Sequence, residues 1–315
     1  MTTGDAAARQ AVAVTTLLDA LAEPHRAAAV RDVEDGRTVW SYLPGRRVGV
    51  APNDLPREHQ QQAFRLVATV LREHAVAQVA AIMALEDVLD LAEGGTGRRH
   101  RGDYWLTVFG RPGDPAWGWR FEGHHVSVNI TVAAGQVRAV PLFLGANPAT
   151  VRHDDAVVLR PLGREEDLAR ELLSRLDRTA RERAVVAEEA PEDIRTGRQA
   201  FVDGLPEEGL AGRDLAPDGR EALRRLTDVY LHRLQPDLLA ETVRRLDDGG
   251  WDELRFQWRG STTVGEPHYY AVAGAGLLLE YDNTQNDANH VHSVLRLPGQ
   301  DFGADLLAAH WARHH

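Results

Sequence analysis

Cysteine is absent from this chain of 315 residues. That absence excludes a disulfide framework, a thiolate metal site and a cysteine nucleophile, so any metal ion must be held by nitrogen and oxygen. Lysine is absent too: all 36 basic residues are arginine, set against 47 acidic ones. The resulting net charge of -11 and pI near 5.7 argue against nucleic acid as the main partner, because phosphate binding needs clustered positive charge. No run of about 18 apolar residues occurs, and residues 1–13 lack a basic region leading into a long apolar segment. A cytoplasmic protein that uses no membrane is expected. Familiar catalytic signatures are missing as well. There is no Gly-x-Ser-x-Gly elbow, EF-hand or dinucleotide fingerprint, and the glycines at 94, 95 and 97 lack the lysine and following helix of a phosphate loop.

What is present is a mixture of two periodicities. Residues 11–31 repeat Val, Leu and Ala at helical spacing, and residues 37–43 alternate like a strand. A second helix is predicted from Asn53-Asp54-Leu55-Pro56, where Asn or Asp suits the cap and Pro the first turn. Residues 77–91 make a third, stopped by glycines. Strands follow at 104–109, 117–121, 124–132 and 137–143, an antiparallel meander. Residues 164–188, rich in Arg, Glu and Leu, read as one helix with a solvated charged face. Helices at 219–234 and 237–248, strands at 253–259, 269–273 and 277–281, and a closing helix at 303–313 complete the chain.

The fold class expected is α+β, with antiparallel sheets and flanking helices. Both halves run helix pair, strand, turn, aromatic strand, turn, apolar strand, so a duplication would make two pseudo-symmetric helix-helix-meander halves. In the register that aligns Leu106-Thr107-Val108 with Leu254-Arg255-Phe256, the His124-His125 turn falls opposite Ala275-Gly276. Residues 190–218, with many Gly, Pro, Asp and Glu, read as a long surface connection. It would divide 1–189 from 219–315 inside a single unit, 1–315.

The chemistry concentrates in histidine. In an extended strand alternate residues share a face, so His290 and His292 offer two imidazoles to one ion, or else hydrogen-bond to the carboxamides around them. One of His124 and His125 is expected to complete the ligands, and only one, since neighbours on a strand face opposite ways. His310, His268 or Glu122 is the candidate fourth ligand. Glu280 or Asp282 is the candidate general base or orienting carboxylate. Arg296 lies at even spacing from His292 and suits a substrate carboxylate or phosphate, or a surface salt bridge. Trp117, Trp119, Tyr269 and Tyr270 read as core or as a pocket for an apolar ligand. Asn283, Gln285, Asn286 and Asn289 suggest a hydrogen-bonded loop that positions the histidines or a polar substrate.

Several motifs in order carry a resemblance. They are residues 117–129 (Trp-Gly-Trp-Arg-Phe-Glu-Gly-His-His-Val-Ser-Val-Asn), Gly145-Ala146-Asn147-Pro148-Ala149, His268-Tyr269-Tyr270, residues 280–293 and residues 301–307. Together they resemble the uncharacterised family catalogued as domain of unknown function 3500, over nearly the entire chain. The resemblance implies one family-wide unit and makes the histidine motifs part of the family's signature, but it implies no activity. The chain departs from the family pattern at Leu295, where Trp is usual, and at Trp311, where Tyr is usual; both bear on pocket shape.

The functional expectation is a metal-dependent enzyme with a histidine-rich site, leaning to hydrolysis of a small polar substrate. The ion would be zinc, copper or iron, since nitrogen and oxygen donors suit all three. A copper- or iron-dependent oxidoreductase on the same ligands is the alternative, and a metal-free protein that binds a small ligand is the second. The partner expected is a small-molecule substrate. Nothing in the residues sets an oligomeric state.

Overall fold

The structure, a computed structural model, describes residues 3–314. Contacts divide the chain into two compact units: Met1–Phe143, Leu234–Leu238 and Gly299–His315 form the first, and Leu144–Arg233 with Leu239–Pro298 the second. Residues 190–218 fall wholly inside the second. The fold is α+β, a mixed and mostly antiparallel arrangement of strands flanked by helices. No helix among the described residues is long and apolar enough to cross a membrane.

The first unit contains α1 (Thr3–Ala20), α2 (Glu23–Ala29), β1 (Val30–Arg31), α3 (Arg57–Ala68), α4 (Glu73–Ala92), β2 (Tyr104–Phe109), β3 (Ala116–Gly123), β4 (Val126–Ala133), β5 (Gln136–Arg138) and the closing helix Ala304–His314. The single helix predicted over 11–31 is two, because Pro24 restarts the coil in the first turn of α2. Residues 37–43 form no strand. Trp40 and Tyr42 are buried against Phe143, with ring centroids 5.9 and 4.1 Å away, while Val39 and Leu43 are exposed. The alternation there encodes anchoring without a ladder. Nor does α3 begin at Asn53 or Asp54. Pro56 holds Leu55 extended (ψ 154°), so the helix starts after the proline and has no side-chain cap.

β2, β3 and β4 pair antiparallel, with Leu106 opposite Phe121 and Phe121 opposite Val128. Every residue of β4 is buried. The strand predicted over 137–143 is interrupted at 139–141, where Pro141 offers no N–H to a ladder; the chain resumes as β6 (Leu142–Ala146), which runs across the division between units.

The second unit continues through a separate hairpin, β7 (Val151–His153) and β8 (Ala156–Leu159), then α5 (Gly163–Arg175), α6 (Arg178–Ala184), β9 (Val185–Ala187), β10 (Leu210–Ala211), α7 (Pro217–Leu231), α8 (Ala240–Arg245), α9 (Trp251–Glu253), β11 (Arg255–Gly260), β12 (His268–Gly274), β13 (Leu277–Gln285) and β14 (His290–Arg296). Residues 164–188 do not form one helix. Asp177 accepts the Ala180 N–H at 2.8 Å and caps a new one, α6. The strands lie in the order β14-β13-β12-β11-β10, all antiparallel, with β9 parallel on β11.

Alternation divides each strand between two faces. One face of β12–β14 carries Tyr270, Tyr281 and Ser293 toward the α5–α7 side, where Tyr270 donates to the Glu165 carbonyl at 3.0 Å and Arg233 donates to Ser293 at 3.2 Å. The other carries Tyr269, Ala271, Ala273 and Leu278, against which Ala190, Val202 and Leu205 pack. Those three belong to an irregular strap, residues 188–208, that crosses the strands.

One local device occurs in both units. β2 has β1 as a parallel neighbour and an antiparallel bridge from Val50 to Leu106; β11 has β9 as a parallel neighbour and β10 antiparallel, with Leu210 opposite Phe256. Just before each bridge stands a glycine at positive φ, Gly49 at 109° and Gly209 at 101°. A Cβ there would lie 2.4 Å from the Leu106 carbonyl oxygen in one case and the Phe256 carbonyl oxygen in the other. Only glycine permits both the angle and the approach. The segments Gly49-Val50-Ala51 and Gly209-Leu210-Ala211 are followed at the same spacing by Asp54-Leu55 and Asp214-Leu215.

Candidate metal centre

β13 and β14 bring the central residues together. Asp282 is directly opposite His292, and Glu280 opposite Val294, so alternation places Glu280, Asp282, His290, His292 and Arg296 on the strap-covered face. The rings of His290 and His292 stand edge to face, with centroids 4.7 Å apart. The turn between the strands passes through Asn286, Asp287 and Ala288, all at positive φ. Carboxamides hold it: Asn283 Oδ1 accepts the His290 N–H at 3.1 Å, Asn289 Oδ1 accepts the Thr150 N–H at 2.8 Å, and the Asn286 amide reaches Asn147 at 3.2 Å. The amide-rich loop thus aims His290.

The strap supplies a further donor, Asp193. Its Oδ1 lies 2.7 Å from His292 Nδ1, and Asp282 Oδ2 lies 4.0 Å from the same nitrogen. Donor atoms of Asp193, Asp282 and His292 all fall within 4.8 Å of one another. Asp282 is buried, and its Oδ1 accepts the Thr284 hydroxyl at 2.8 Å while its Oδ2 has no hydrogen-bond partner. Burial, with smaller contributions from the Asp193 and Glu280 charges, pushes its carboxyl up to about 8, against the opposing Thr284 hydrogen bond. No arginine relieves it. A buried carboxylate oxygen without a donor is costly unless a proton or a cation meets it, and three oxygen and nitrogen donors this close could hold a metal ion.

Sequence reasoning passed over Asp193, which sits in an aperiodic stretch. The signal available was the acidic run Glu188-Glu189 with Glu192-Asp193, which straddles the end of the helix read over 164–188 and the start of the segment read only as a connection.

Two of the expected catalytic groups hold the strap instead. Glu280 is fully enclosed, and its oxygens accept the Arg195 N–H at 2.7 Å, the Thr196 N–H at 3.3 Å, the Thr196 hydroxyl, and the Tyr269 hydroxyl at 2.9 Å. Burial raises its carboxyl while these donors lower it. Arg296 is buried and donates to the Gln199 carbonyl, again on the strap. Tyr269 is thereby accounted for as core, and Trp119 likewise, its indole N–H donating to Gln10 at 3.0 Å.

His268 points to the helix-covered face, away from His292. It stacks on Trp258 at 4.9 Å, nearly parallel, and its Nδ1 lies 2.9 Å from the Glu266 carbonyl; burial lowers its pKa. It is not brought together with His290 and His292. The side chain of His310 lies outside the described residues.

His124 and His125 belong to the first unit, in the turn between β3 and β4, where His125 has φ 65°. The turn overrides strand alternation, so the two rings stack at 3.7 Å instead of facing opposite ways. His124 Nδ1 lies 2.5 Å from Glu86 Oε1 on α4, and Glu86, His124 and His125 form a second group of donors within 4.8 Å. Arg99 approaches the same nitrogen at 3.4 Å, a charge that opposes a cation there. Glu122 is not part of this group. It pairs with Arg120 at 2.8 Å and accepts the Ser41 N–H at 3.3 Å, and burial raises its carboxyl against the pull of Arg120 and Arg47.

Beside Asp193 the second unit opens a cleft of about 740 Å³, walled by Glu188, Glu189, Glu192, Asp193, Thr284 and Gln285 among others. Asp193 and Thr284 thus touch both the cleft and the donor group.

A family model described as Protein of unknown function (DUF3500) matches residues 3–304. No curated protein and no solved structure matches the chain.

Proposed function

The chain belongs to that family of unknown function, and we propose that it is a metal-dependent enzyme acting on a small polar molecule, with hydrolysis as the favoured reaction. The observation that carries the reading is the buried, unpartnered Asp282 Oδ2 beside His292 and Asp193. Tetrahedral nitrogen and oxygen ligands around zinc lie roughly 3.3 Å from one another. The separations of 2.7 and 4.0 Å about His292 Nδ1 straddle that value, so small side-chain shifts suffice. His290, whose ring adjoins His292, is the fourth donor or leaves that position to water.

A divalent ion held there supplies Lewis-acid charge and lowers the pKa of water to near 7. The protein groups do the rest. Asp282 and His292 fix the geometry from paired strands, the least deformable part of the unit. Asp193, half-buried in the cleft wall, has a second carboxylate oxygen to take the proton of the attacking water. The water oxygen adds to the substrate carbonyl, and the leaving group departs with the proton that Asp193 received. Glu280 takes no part, since its hydrogen bonds to the strap occupy it.

A donor set of imidazole and carboxylate without sulfur also suits iron and oxygen chemistry, which keeps an oxidoreductase as the second reading. Elemental analysis of native protein, beside Asp282→Asn and His292→Ala, tests both. One equivalent of colourless zinc lost in both variants supports hydrolysis; iron or copper with a visible or paramagnetic signal transfers the site to redox chemistry. Native protein without stoichiometric metal removes both and leaves a small-ligand binding protein.

A further inference from the structure

The hairpin of β7 and β8 pairs with none of the other described strands. Residues 152–158 are all exposed, and neither strand packs closely against any other described helix or strand. A two-stranded hairpin with no third strand or helix behind it is marginally stable in water. This one nevertheless has a strand composition, with Val151, Val157, Val158 and Leu159. Val157 is 49% exposed and Val158 58%. Large apolar residues exposed singly are ordinary on a protein surface. Two in succession beside the exposed Ala156, on a projecting arm, make a patch that lacks a cover.

Extension of the ladder is not what covers it. Arg152 pairs with Val157 and Val151 with Leu159, so Val158 is the extra residue of a bulge, and bulged edges resist strand addition. Side chains are left for contact. Charge then identifies the occupant. The tip of the arm carries Asp154 and Asp155, whose carboxylates meet no described arginine; the neighbouring His153 lies 3.9 Å from Asp154. The root carries Arg160 and Arg164. Arg160 is committed to Glu166 and Asp167 at 2.8 and 2.7 Å, whereas Arg164, exposed on the first turn of α5, pairs with no described residue. From tip to root the arm thus runs acidic, apolar, basic. That order is self-complementary. Two arms laid antiparallel about a twofold axis beside Val157 and Val158 set each acidic tip toward the other's basic root and the valines against one another. Laid parallel, they would bring like charges together.

We propose that the arm formed by β7 and β8 joins two copies of this chain into a symmetric dimer. The valines supply the contact area. The charges, worth little in energy at an exposed site, set the orientation. Two short arms cover less than a standard interface of about 1,600 Å², so the dimer is weak and reversible, with a dissociation constant on the order of 10–100 µM.

Sedimentation velocity at concentrations spanning that range tests this. The unaltered chain is expected to pass reversibly from monomer to dimer as concentration rises. Val157→Asp/Val158→Asp, at positions already exposed, should stay monomeric throughout with thermal unfolding unchanged. Reversing the tip with Asp154→Arg/Asp155→Arg should likewise prevent dimers. Mixing that variant with Arg164→Glu should restore them as heterodimers, since one contact then joins a reversed tip to a reversed root and the other a native tip to a native root. A chain that stays monomeric over the whole range overturns the proposal. So does a dimer that survives the valine substitutions, which would lie on another surface, or one lost with the valines but indifferent to the charges, which would not be antiparallel.

Discussion

Asp193 Oδ1 and His292 Nδ1 lie 2.7 Å apart although 99 residues separate them in sequence. One rides on an irregular strap and the other on a central strand, so the donor group exists only when the strap is in place. Replacing Asp193 with Ala removes one of the proposed donors and should weaken metal binding by at least about tenfold. Competition with a chromophoric chelator measures it. Asp193→Glu should recover part of the loss; an unchanged affinity in Asp193→Ala would exclude the strap from the centre.

The position of Asp282 makes a pH dependence. Its ordinary value is 3.8 and its value in the fold about 8. A folded state that holds a proton more tightly than the unfolded one is favoured most where both keep it. The stabilisation is therefore full below 3.8, falls as pH rises through the interval, and is gone above about 8. Metal-free protein should lose thermal stability between about pH 5 and pH 8, and Asp282→Asn should flatten that slope. Bound metal takes the proton's place, so the ion should be released on acidification. Calorimetric scans with and without chelator would show it, and identical slopes in wild type and Asp282→Asn would refute it.

Glu280→Ala removes the acceptor for the Arg195 and Thr196 amides and the Tyr269 hydroxyl. Buried donors left unmet cost about 1–3 kcal/mol each before water or movement relieves them. A loss of at least about 2 kcal/mol in urea denaturation is expected, together with faster proteolysis within residues 188–208. Glu280→Gln keeps the acceptor oxygen and should lose less.

His268→Phe should leave metal content unchanged, because His268 stacks on Trp258 on the other face of β12, whereas His292→Ala should abolish it. Metal counting on His125→Ala tests the sequence-based expectation that His124 or His125 supplies a ligand as well. A fall in stoichiometry there would support it; full retention would confine the ion to the donors of the second unit.

Behind the strands, Arg233 and Glu165 form a fully buried ion pair at 2.7 Å, with Arg233 also on Ser293 and over the Tyr230 ring. Arg233→Ala strands a buried carboxylate and should cost roughly 3–5 kcal/mol. Replacing both partners with Met should cost much less. Metal content should follow neither change, which separates this structural pair from the centre.

The strands were the most legible part of the chain. The segment 104–109 emerges with the bounds its alternation predicts, and β12 and β13 grow by only a few residues at their ends, because strand faces that bury on both sides still show unbroken apolar runs. Helix boundaries were lost where a proline or an aspartate restarted the coil, at Pro24, Pro56 and Asp177, a choice made by single residues against continuous periodicity. His290, His292 and Asp282 could be read together because a strand fixes which residues share a face. Asp193 could not, since nothing periodic records where a strap lies. Glu280 and Arg296 were assigned chemistry from their polarity and position; only tertiary contacts reveal that backbone amides and carbonyls of the strap consume them. The repeat of Gly49-Val50-Ala51 in Gly209-Leu210-Ala211 was in plain view, but its meaning needed the carbonyl oxygens that the glycines approach.

The strap has few apolar anchors, chiefly Ile194 with Ala190, Val202 and Leu205, and is otherwise tied down by polar bonds to Glu280, Arg296 and Thr284. Segments held in this way open locally at free energies below that of the whole fold. With Asp193 on such a segment, the residence time of an ion held as proposed would depend on how often the strap lifts as well as on the metal–ligand bonds. A change at Val202 or Leu205 would then alter exchange, and with it affinity, without touching a donor.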